Sequence, residues 1–455
     1  MLYALCITNS SFIISNMRFF PHTDDDVKRM LDVVGLPSIE NLFDTLPKEV
    51  VMTKDYDLPS ALSEKEVREF FEALGKKNRT LACFAGAGCY DHYTPSVINS
   101  IISRSEFLTS YTPYQAEISQ GTLQYIFEYQ SMIAALTGME VSNASMYDGA
   151  TATAEAMMMA VAAAKRRRKV LVSATVNPAV AAVVSTYARY QDIEVVTVDA
   201  ENGVTSKAHL DALLAAGDVA GVVVAQPNFY GIVEDYDGFA AACHDAKSLL
   251  IMNCVASTLG ALKTPAEWDA DIAVGDGQSL GVPMSFGGPF VGFLATRKSL
   301  IRKMPGRIVG ATRDADGKRA FVLTLQAREQ HIRREKATSN ICSNQSLMAL
   351  FVTIYLSLMG PDGLREVNDI SAANAHYLAK RLAETGKARL VYPDRPFLNE
   401  FAVKIDGSAD ELIRRAAEAG ILAGVKLDDS TLLVAATEMQ TDADIDKYIE
   451  IVNNL

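Results

Sequence analysis

Residues 269–298 read DADIAVGDGQSLGVPMSFGGPFVGFLATRK, and the pattern of this stretch decides the fold. A short apolar strand, Ile272 to Val274, runs into a glycine-rich turn, and a second such turn, Gly287 to Pro289, precedes another apolar strand. Glycines that flank a short strand let its backbone approach a ligand or another chain closely. No lysine lies between Lys263 and Lys298, and the first turn reads Gly277-Gln278-Ser279. We therefore expect a strand–turn–strand unit beside a ligand site or an interface, without an amine in its first turn.

Outward from this stretch, short apolar strands alternate with helices. The predicted strands are residues 170–172, 194–198, 220–225, 249–252, 272–274 and 291–295. Helices are predicted between them, for example over 179–190 and 207–216. This alternation predicts a mostly parallel sheet with helices on both faces. Ligands of such sheets bind at the carboxyl ends of the strands, where the loops carry Asn177, Gln226 to Asn228, Asn253 and Gln278.

The regions on either side of the sheet have their own patterns. Thr23 before three aspartates, and Ser63 with Glu66, are N-cap signals that predict two N-terminal helices. The last hundred residues alternate helices with strands at 400–405 and 431–436, whereas the segment after Arg297 reads as rich in loops. We expect an N-terminal extension and helical arm over 1–80, a large domain over 81–325 and a smaller C-terminal α/β domain over 326–455. Met17 begins a more convincing start than Met1, so 1–16 is expected to be a disordered extension or a mis-assigned start.

Composition excludes several classes of function. The chain has 455 residues, 49% hydrophobic and 22% charged, with a net charge of −12, which argues against nucleic acid or an anionic membrane as a partner. The apolar runs are shorter than the roughly 18 residues that a membrane span needs. The six cysteines form neither CxxC pairs nor zinc-type clusters, so a cytoplasmic location without a metal site is expected. Cys342 lies in a polar loop and is read as a buried inert thiol rather than a reactive one.

Three further segments carry candidate chemistry. Residues 143–164 turn at Asp148-Gly149 into a helix, and the exposed amides of Gly149, Ala150 and Thr151 form a natural phosphate cradle. Residues 110–122, SYTPYQAEISQGT, are polar and lack periodicity, which is typical of functional loops. Residues 328–336 carry four cations that either bind a carboxylate or phosphate or form a solvated helix face.

Several long strings resemble one family. They are FAGAGCYDHYTPS, YTPYQAEISQGTLQYIFEYQSMIAALTGM, NASMYDGATATAEA, RIVGATRDADGKRAF and LQAREQHIRREKATSNIC, and they lie in order between Phe84 and Cys342. They resemble the P-protein family of the glycine cleavage system, glycine dehydrogenase (decarboxylating), in particular the separate alpha subunit (subunit 1) that many bacteria pair with a beta subunit (subunit 2). The resemblance covers nearly the whole chain from Met17.

This resemblance implies an aminotransferase-like fold (pyridoxal-phosphate fold type I), in which the strand–turn–strand region presents the Schiff-base lysine. Here Gln278 occupies that slot, and an amide cannot form an imine. The resemblance therefore implies that pyridoxal phosphate and its lysine reside in the beta subunit, and that this chain alone is inactive. The complex is expected to decarboxylate glycine and to pass the aminomethyl group to the lipoyl arm of H-protein, with T-protein and L-protein completing the system.

Other positions also depart from a working cofactor site. The strand-end position that usually holds an Asp against the pyridine nitrogen is read as Asn253, and the ring-stacking position falls near Asn177. The cradle of Asp148, Gly149, Ala150 and Thr151 is read as a relic. Loop residues expected at the alpha–beta interface, lining the beta site, share a polar, non-periodic setting: Tyr111, Tyr114, Gln115, Glu117, Arg333, Lys336, Thr338 and Asn340.

Two alternatives remain open on the sequence. In one, the chain is a self-sufficient enzyme that uses another lysine, Lys263 or Lys336. In the other, it is a structural or regulatory subunit that contributes no catalytic group. Cofactor absorbance of the isolated chain tests the first alternative, and point variants in the complex test the second.

Overall fold

The structure is a computed structural model that describes residues 21–455 except Thr53, Asp55, Glu329 and Thr338, and all side chains in that range except those of Arg328 and His331. The prediction for residues 1–16 lies outside the described residues. The chain separates into two compact units, with the boundary between Asn78 and Arg79. That boundary lies close to the predicted end of the N-terminal arm, and the predicted division at 325/326 stays a prediction.

The first unit contains the two predicted helices, α1 (Asp24–Val34) and α2 (Glu64–Gly75). Thr23 and Ser63 cap them in full capping boxes, and Gly35 ends α1 in the left-handed conformation. Both N-cap predictions are therefore confirmed. Neither helix contains a buried residue, although apolar side chains follow one face of each.

The second unit alternates helices and strands. Its helices are α3 (Ser96–Ile102), α4 (Ser105–Leu108), α5 (Gln120–Thr137), α6 (Gly149–Ala163), α7 (Pro178–Arg189), α8 (Lys207–Leu214), α9 (Phe239–Asp245), α10 (Gln330–Arg333), α11 (Ser346–Glu384), α12 (Ala409–Glu418) and α13 (Asp442–Asn453). Its strands are β1 (Ala82–Cys83), β2 (Val141–Ser142), β3 (Lys169–Ser173), β4 (Glu194–Val198), β5 (Ala200–Glu201), β6 (Val204–Thr205), β7 (Val219–Gln226), β8 (Leu249–Val255), β9 (Ile272–Asp276), β10 (Gly292–Thr296), β11 (Ile308–Arg313), β12 (Arg319–Thr324), β13 (Ala388–Leu390), β14 (Glu400–Ile405), β15 (Ile421–Leu422), β16 (Val425–Lys426) and β17 (Thr431–Ala435).

A seven-stranded sheet forms the centre of this unit, in the order β2-β10-β9-β8-β7-β3-β4. Strands β9, β8, β7, β3 and β4 are parallel, and β10 runs antiparallel between β9 and β2. Alternate residues of β7 face opposite sides: Val222 packs into one apolar cluster and Val223 into the other. Helix α6 covers the second side, while α5 and the first part of α11 cover the first. The predicted parallel sheet, buried on both faces, is confirmed.

The C-terminal lobe is a second, smaller layer. Its four strands pair in the order β13-β14-β17-β16 and pack against α11, α12 and α13. The start of the unit joins this lobe: β1 pairs in parallel with β15, and Phe84 is fully buried against Tyr448. Residues 82–84 are thus part of the C-terminal core, which their position in the sequence did not indicate.

Helix α11 consists of two helical halves that meet at Gly360. Gly360, at φ 60° and ψ −174°, breaks the helical geometry before Pro361, and the two halves lie in different cores. By length and composition alone α11 passes as a membrane span, with 39% of its most apolar window buried. Phe351, Val352 and Tyr355 belong to the main core, so its apolar character is explained by packing.

Two expectations about loops are wrong in part. The segment after Arg297, expected to be rich in loops, contains the hairpin β11–β12, closed by a turn in which Asp314 accepts hydrogen bonds from the amides of Asp316 and Lys318. Cys342, expected to be buried, is exposed. Its loop is polar and packs few apolar groups around the thiol, which explains the exposure.

Candidate functional site

A cavity of about 280 Å³ lies at the carboxyl ends of the parallel strands. The ends of β7, β8 and β9, the loops after β3 and β7 and the start of α6 line it, and residues 87–90 with Glu400 of β14 complete the lining. Its polar lining consists of Cys89, Tyr90, Asp148, Asn177, Asn228, Asn253, Asp276 and Glu400. Within the described residues, no lysine, arginine or histidine lines it. The predicted loops therefore meet at one site, and that site is acidic.

Gln278, at the position predicted for the lysine, is a buried residue with a structural role. Its Oε1 accepts from the Tyr90 amide at 2.9 Å, and its Nε2 donates to the carbonyls of Tyr90 at 2.7 Å and Val282 at 2.8 Å. Every polar atom of its side chain is thus bound to backbone, and the side chain does not line the cavity. Through these bonds Gln278 connects the loop that contains Tyr90 to the turn after β9.

The N-terminus of α6 lies at the cavity, where the sequence places a phosphate cradle. Asp148 caps the helix, its Oδ1 accepting from the Thr151 amide at 2.8 Å. The Gly149 amide donates to Asp276 Oδ2 at 3.0 Å. A Cβ at Gly149 would lie 2.7 Å from the Asp276 backbone nitrogen, so only glycine allows this contact between helix and strand. Two of the cradle's amides are therefore bound to the chain's own carboxylates.

Glu400 enters the cavity from the C-terminal lobe. Its two oxygens accept from the Ala87 amide at 2.6 Å and from the Tyr90 hydroxyl at 2.8 Å. Burial raises the pKa of the Glu400 carboxyl to about 7, and burial raises the pKa of Asp276 to about 6. At neutral pH each carboxyl is therefore close to its pKa. Each is either ionised or neutral, and neither contributes positive charge to the cavity.

Asn253 and Asn177, predicted from strand ends, do line the cavity. The Asn253 amide donates to the Thr153 hydroxyl at 2.7 Å, and the Asn177 amide donates to the Ala87 carbonyl at 2.8 Å. Neither side chain carries the charge or the flat ring that a pyridine ring requires from these positions.

These residues do not fit pyridoxal phosphate. The lysine slot holds a fully bonded amide, the phosphate position meets the carboxylates of Asp148 and Asp276, and the described lining supplies no cation. A phosphate needs donors and positive potential, whereas two of the three predicted cradle amides are already bound to carboxylates and no described lining residue carries a positive charge. Lys263, the alternative lysine, lies with its Nζ 3.7 Å from the ring centroid of Trp268 and is not part of the cavity lining.

The residues predicted at an interface lie on the surface. Tyr111, Tyr114, Gln115, Glu117, Arg333, Lys336 and Asn340 are all exposed, and Thr338 lies outside the described residues. Contacts bring two of the predicted segments together: the Tyr114 hydroxyl is 3.9 Å from the Cys342 thiol, and the Arg307 guanidinium lies beneath the Tyr114 ring at 5.3 Å. Lys336 lines neither of the two best-formed cavities.

Asn340 lines a second cavity, of about 380 Å³, between α6, α7 and residues 330–340. Buried Glu155 lies at its base, where Ser339 donates to Glu155 Oε1 at 2.7 Å. Burial raises the pKa of Glu155 to about 7. The structure thus separates the predicted interface residues into a Tyr114 group and an Asn340 group.

Sequence reasoning missed four residues here. Asp276 directly precedes the quoted turn, and a carboxylate at a strand end is a signal for a polar contact there, although the sequence does not show that the contact is with the Gly149 amide, 127 residues away. Arg307, Glu155 and Glu400 had no such signal, because their partners lie far away in sequence. Arg307, for example, reaches Tyr114 across 193 residues.

The sheet order and the cavity at its carboxyl edge define the class of pyridoxal-phosphate enzymes of fold type I. Alanine–glyoxylate aminotransferase from Nostoc sp. shares this fold, with a TM-score of 0.60 at 15% identity over 90% of this chain and 98% of that chain. The chain belongs to the glycine cleavage system P-protein family, whose model matches residues 17–452.

Close relatives agree with this assignment. The relative from Carboxydothermus hydrogenoformans, named "Probable glycine dehydrogenase (decarboxylating) subunit 1", is 48% identical over 96% of this chain and 99% of its own. A crystal structure of glycine decarboxylase (P-protein) of the glycine cleavage system in inhibitor-bound form is 44% identical, with a TM-score of 0.88, and covers 96% of this chain and 100% of that chain. The family resemblance and the fold class read from the sequence are confirmed.

Proposed function

We propose that this chain is the subunit without cofactor of a two-subunit glycine decarboxylase. With its partner, subunit 2, it decarboxylates glycine and transfers the aminomethyl group to the lipoyl group of H-protein. Membership of the P-protein family and the "subunit 1" name of the relatives support this role. The observation that carries the proposal is Gln278, which fills the lysine slot with three bonds to backbone.

Pyridoxal phosphate then belongs to subunit 2. The acidic lining of this chain's cavity supports that division, because two amides of the predicted cradle are bound to Asp276 and Asp148 and no described lining residue carries a positive charge. The contribution of this chain is structural support and part of the partner's site. T-protein and L-protein act with the complex as the remaining members of the system.

The test is glycine-dependent CO₂ exchange with H-protein, measured for this chain alone, for subunit 2 alone and for the mixture. Activity is expected only in the mixture, with cofactor bound to subunit 2. Activity of this chain alone would overturn the proposal and favour a self-sufficient enzyme that uses Lys263 or Lys336.

We further propose that Tyr111, Tyr114, Gln115, Glu117, Arg333, Lys336, Thr338 and Asn340 face subunit 2 and line its site. Support comes from the segment that carries the two tyrosines. Tyr111, Tyr114 and Ile118 are 77%, 54% and 80% exposed and lie within one stretch of eight residues, and several exposed apolar side chains close together are typical of an interaction surface. Exposed tyrosines above a buried arginine are typical interface anchors.

Point variants of the mixed complex test these residues. Tyr114→Ala and Lys336→Ala are expected to lower CO₂ exchange about tenfold or more, on the scale of interface hot spots. Tyr377→Ala and Lys380→Ala change exposed residues of the same types on α11 and serve as controls. If all four variants kept full activity, the alternative of a purely structural subunit would be favoured.

A cytoplasmic location is part of the proposal. The described cysteines, Cys83, Cys89, Cys243, Cys254 and Cys342, are all free thiols, which suits a reducing compartment. Fractionation of cells that express the intact complex tests the location.

A further inference from the structure

We infer that the cofactor position of this chain is closed from within, by Asp276 in place of a phosphate and by Gln278 in place of the lysine. Restoring a lysine at 278 alone will therefore not restore binding of pyridoxal phosphate. This inference rests on the proposed function, in which the cofactor resides in subunit 2.

The carboxylate of Asp276 acts as an internal anion at the start of α6. Its Oδ2 accepts from the Gly149 amide at 3.0 Å, and its Oδ1 accepts from the Gln278 amide at 2.8 Å. Because both oxygens are held, the carboxylate cannot rotate away without losing a bond. An arriving phosphate would have to displace an anion that the helix N-terminus already stabilises.

The geometry places the carboxylates of Asp148 and Asp276 at the helix start that a phosphate would occupy. The Cβ position of Gly149 is 2.7 Å from the Asp276 nitrogen and 2.9 Å from the Gly275 carbonyl carbon, so the helix start lies directly on the end of β9. Asp148 occupies the other side, where it binds the Thr151 amide. A phosphate at this place would meet two carboxylates at contact distance, and their charges would repel it.

The lysine slot is closed by a separate set of bonds. The Gln278 amide satisfies the Tyr90 amide and two carbonyls, all of them buried. A lysine can donate to the carbonyls but cannot accept from the Tyr90 amide, so that donor would lose its partner.

Binding by the isolated full-length chain tests the inference. Four proteins are compared: wild type, Gln278→Lys, Asp276→Ser and the double variant. Equilibrium dialysis measures binding of inorganic phosphate, and cofactor absorbance together with dialysis measures binding of pyridoxal phosphate. Asp316→Ser, at an exposed aspartate of the β11–β12 turn, is the matched control.

Wild type and Gln278→Lys are expected to bind neither probe saturably. Asp276→Ser is expected to gain affinity for inorganic phosphate by about tenfold or more, since it frees the Gly149 amide and removes one charge. Only the double variant is expected to bind pyridoxal phosphate with a change in its spectrum. The inference would be overturned if Gln278→Lys bound pyridoxal phosphate as tightly as the double variant does. It would also be overturned if folded Asp276→Ser gained no affinity for inorganic phosphate.

Asp276→Asn keeps the test decisive if the serine variant fails to fold. Asparagine keeps one acceptor oxygen for the two amides of Gly149 and Gln278 and removes the charge, so it is expected to disturb the fold less than serine and to bind phosphate more tightly than wild type. Unchanged phosphate affinity in this variant would overturn the inference.

The binding data also separate this inference from the proposed function. Pyridoxal phosphate bound by wild type, together with CO₂ exchange by the chain alone, would refute the proposed function. Wild type that stays empty while Gln278→Lys binds the cofactor would refute only the internal closure.

Discussion

Replacing Gln278 by methionine keeps the volume of the side chain and deletes its hydrogen bonds. Three bonds to buried backbone groups are lost, and the Tyr90 amide, the Tyr90 carbonyl and the Val282 carbonyl are left without the side chain that satisfies them. A typical buried hydrogen bond contributes about 1 kcal/mol, and an orphaned buried donor costs about 1–3 kcal/mol. We therefore expect Gln278→Met to lower the free energy of unfolding by about 3–5 kcal/mol.

Urea-induced unfolding followed by circular dichroism measures this loss, and amide hydrogen exchange locates it. Peptides that cover residues 84–96 should exchange faster in the variant, because Gln278 binds the backbone of Tyr90 in that loop. Gln124→Met, at an exposed position of α5, removes an amide of the same type and should change stability by less than about 0.5 kcal/mol.

A loss below about 1 kcal/mol, with unchanged exchange of residues 84–96, would refute this reasoning. It would mean that water or a shifted backbone satisfies the same groups, so that the amide is not what fixes the loop. The closure of the lysine slot would then need another cause.

Three further results are expected. The pKa of Glu400 is raised from 4.5 in the unfolded chain to about 7 in the native state, so the native state holds a proton that the unfolded chain has lost. This proton adds about 3 kcal/mol to the free energy of unfolding below pH 4.5, and the added stability disappears as the pH rises through about 7. Urea unfolding of wild type and Glu400→Gln across pH 5–8 measures the effect, and parallel pH profiles of the two proteins would contradict it. Gly149→Ala should lower the free energy of unfolding by about 1–3 kcal/mol, because the added methyl group would collide with the end of β9. Gly121→Ala, in open space on α5, should leave the stability unchanged or raise it, and thermal unfolding compares the two variants. Phe84→Ala should cost about 3–5 kcal/mol in urea unfolding, whereas Phe286→Ala, at a fully exposed position, should cost almost nothing; equal effects would show that residue 84 is not part of the C-terminal core.

Much of the fold could be predicted because its signals are local. The strands of the parallel sheet are short apolar runs, and the observed β4 and β14 match the predicted 194–198 and 400–405 residue for residue. The hairpin β11–β12 was missed because its strands are half exposed and carry charges at their ends, which hides the apolar pattern of a strand.

The candidate site could be predicted only to its loops. Strand ends place Asn177, Asn253 and Gln278 near one another, since carboxyl ends of parallel strands meet at one edge. The bonds that give the site its character join residues far apart: Gly149 and Asp276 are separated by 127 residues, and Ala87 and Glu400 by 313. No local sequence pattern indicates such pairs. The acidic lining, and the hydrogen bonds among the lining residues, could therefore be recognised only in the folded structure.

In the proposed function this chain binds no cofactor, and the distribution of these bonds would then explain how it keeps the fold without one. A site emptied of its ligand leaves buried polar groups, and each must find a partner or destabilise the protein. Here Gln278, Asn177 and Glu400 all bind the backbone or side chains of residues 87–90. Polar groups that could otherwise bind a ligand instead hold residues 87–90 in place. The hydrogen bonds that occupy the predicted cofactor position are therefore the same ones that hold residues 87–90 against the sheet and the C-terminal lobe.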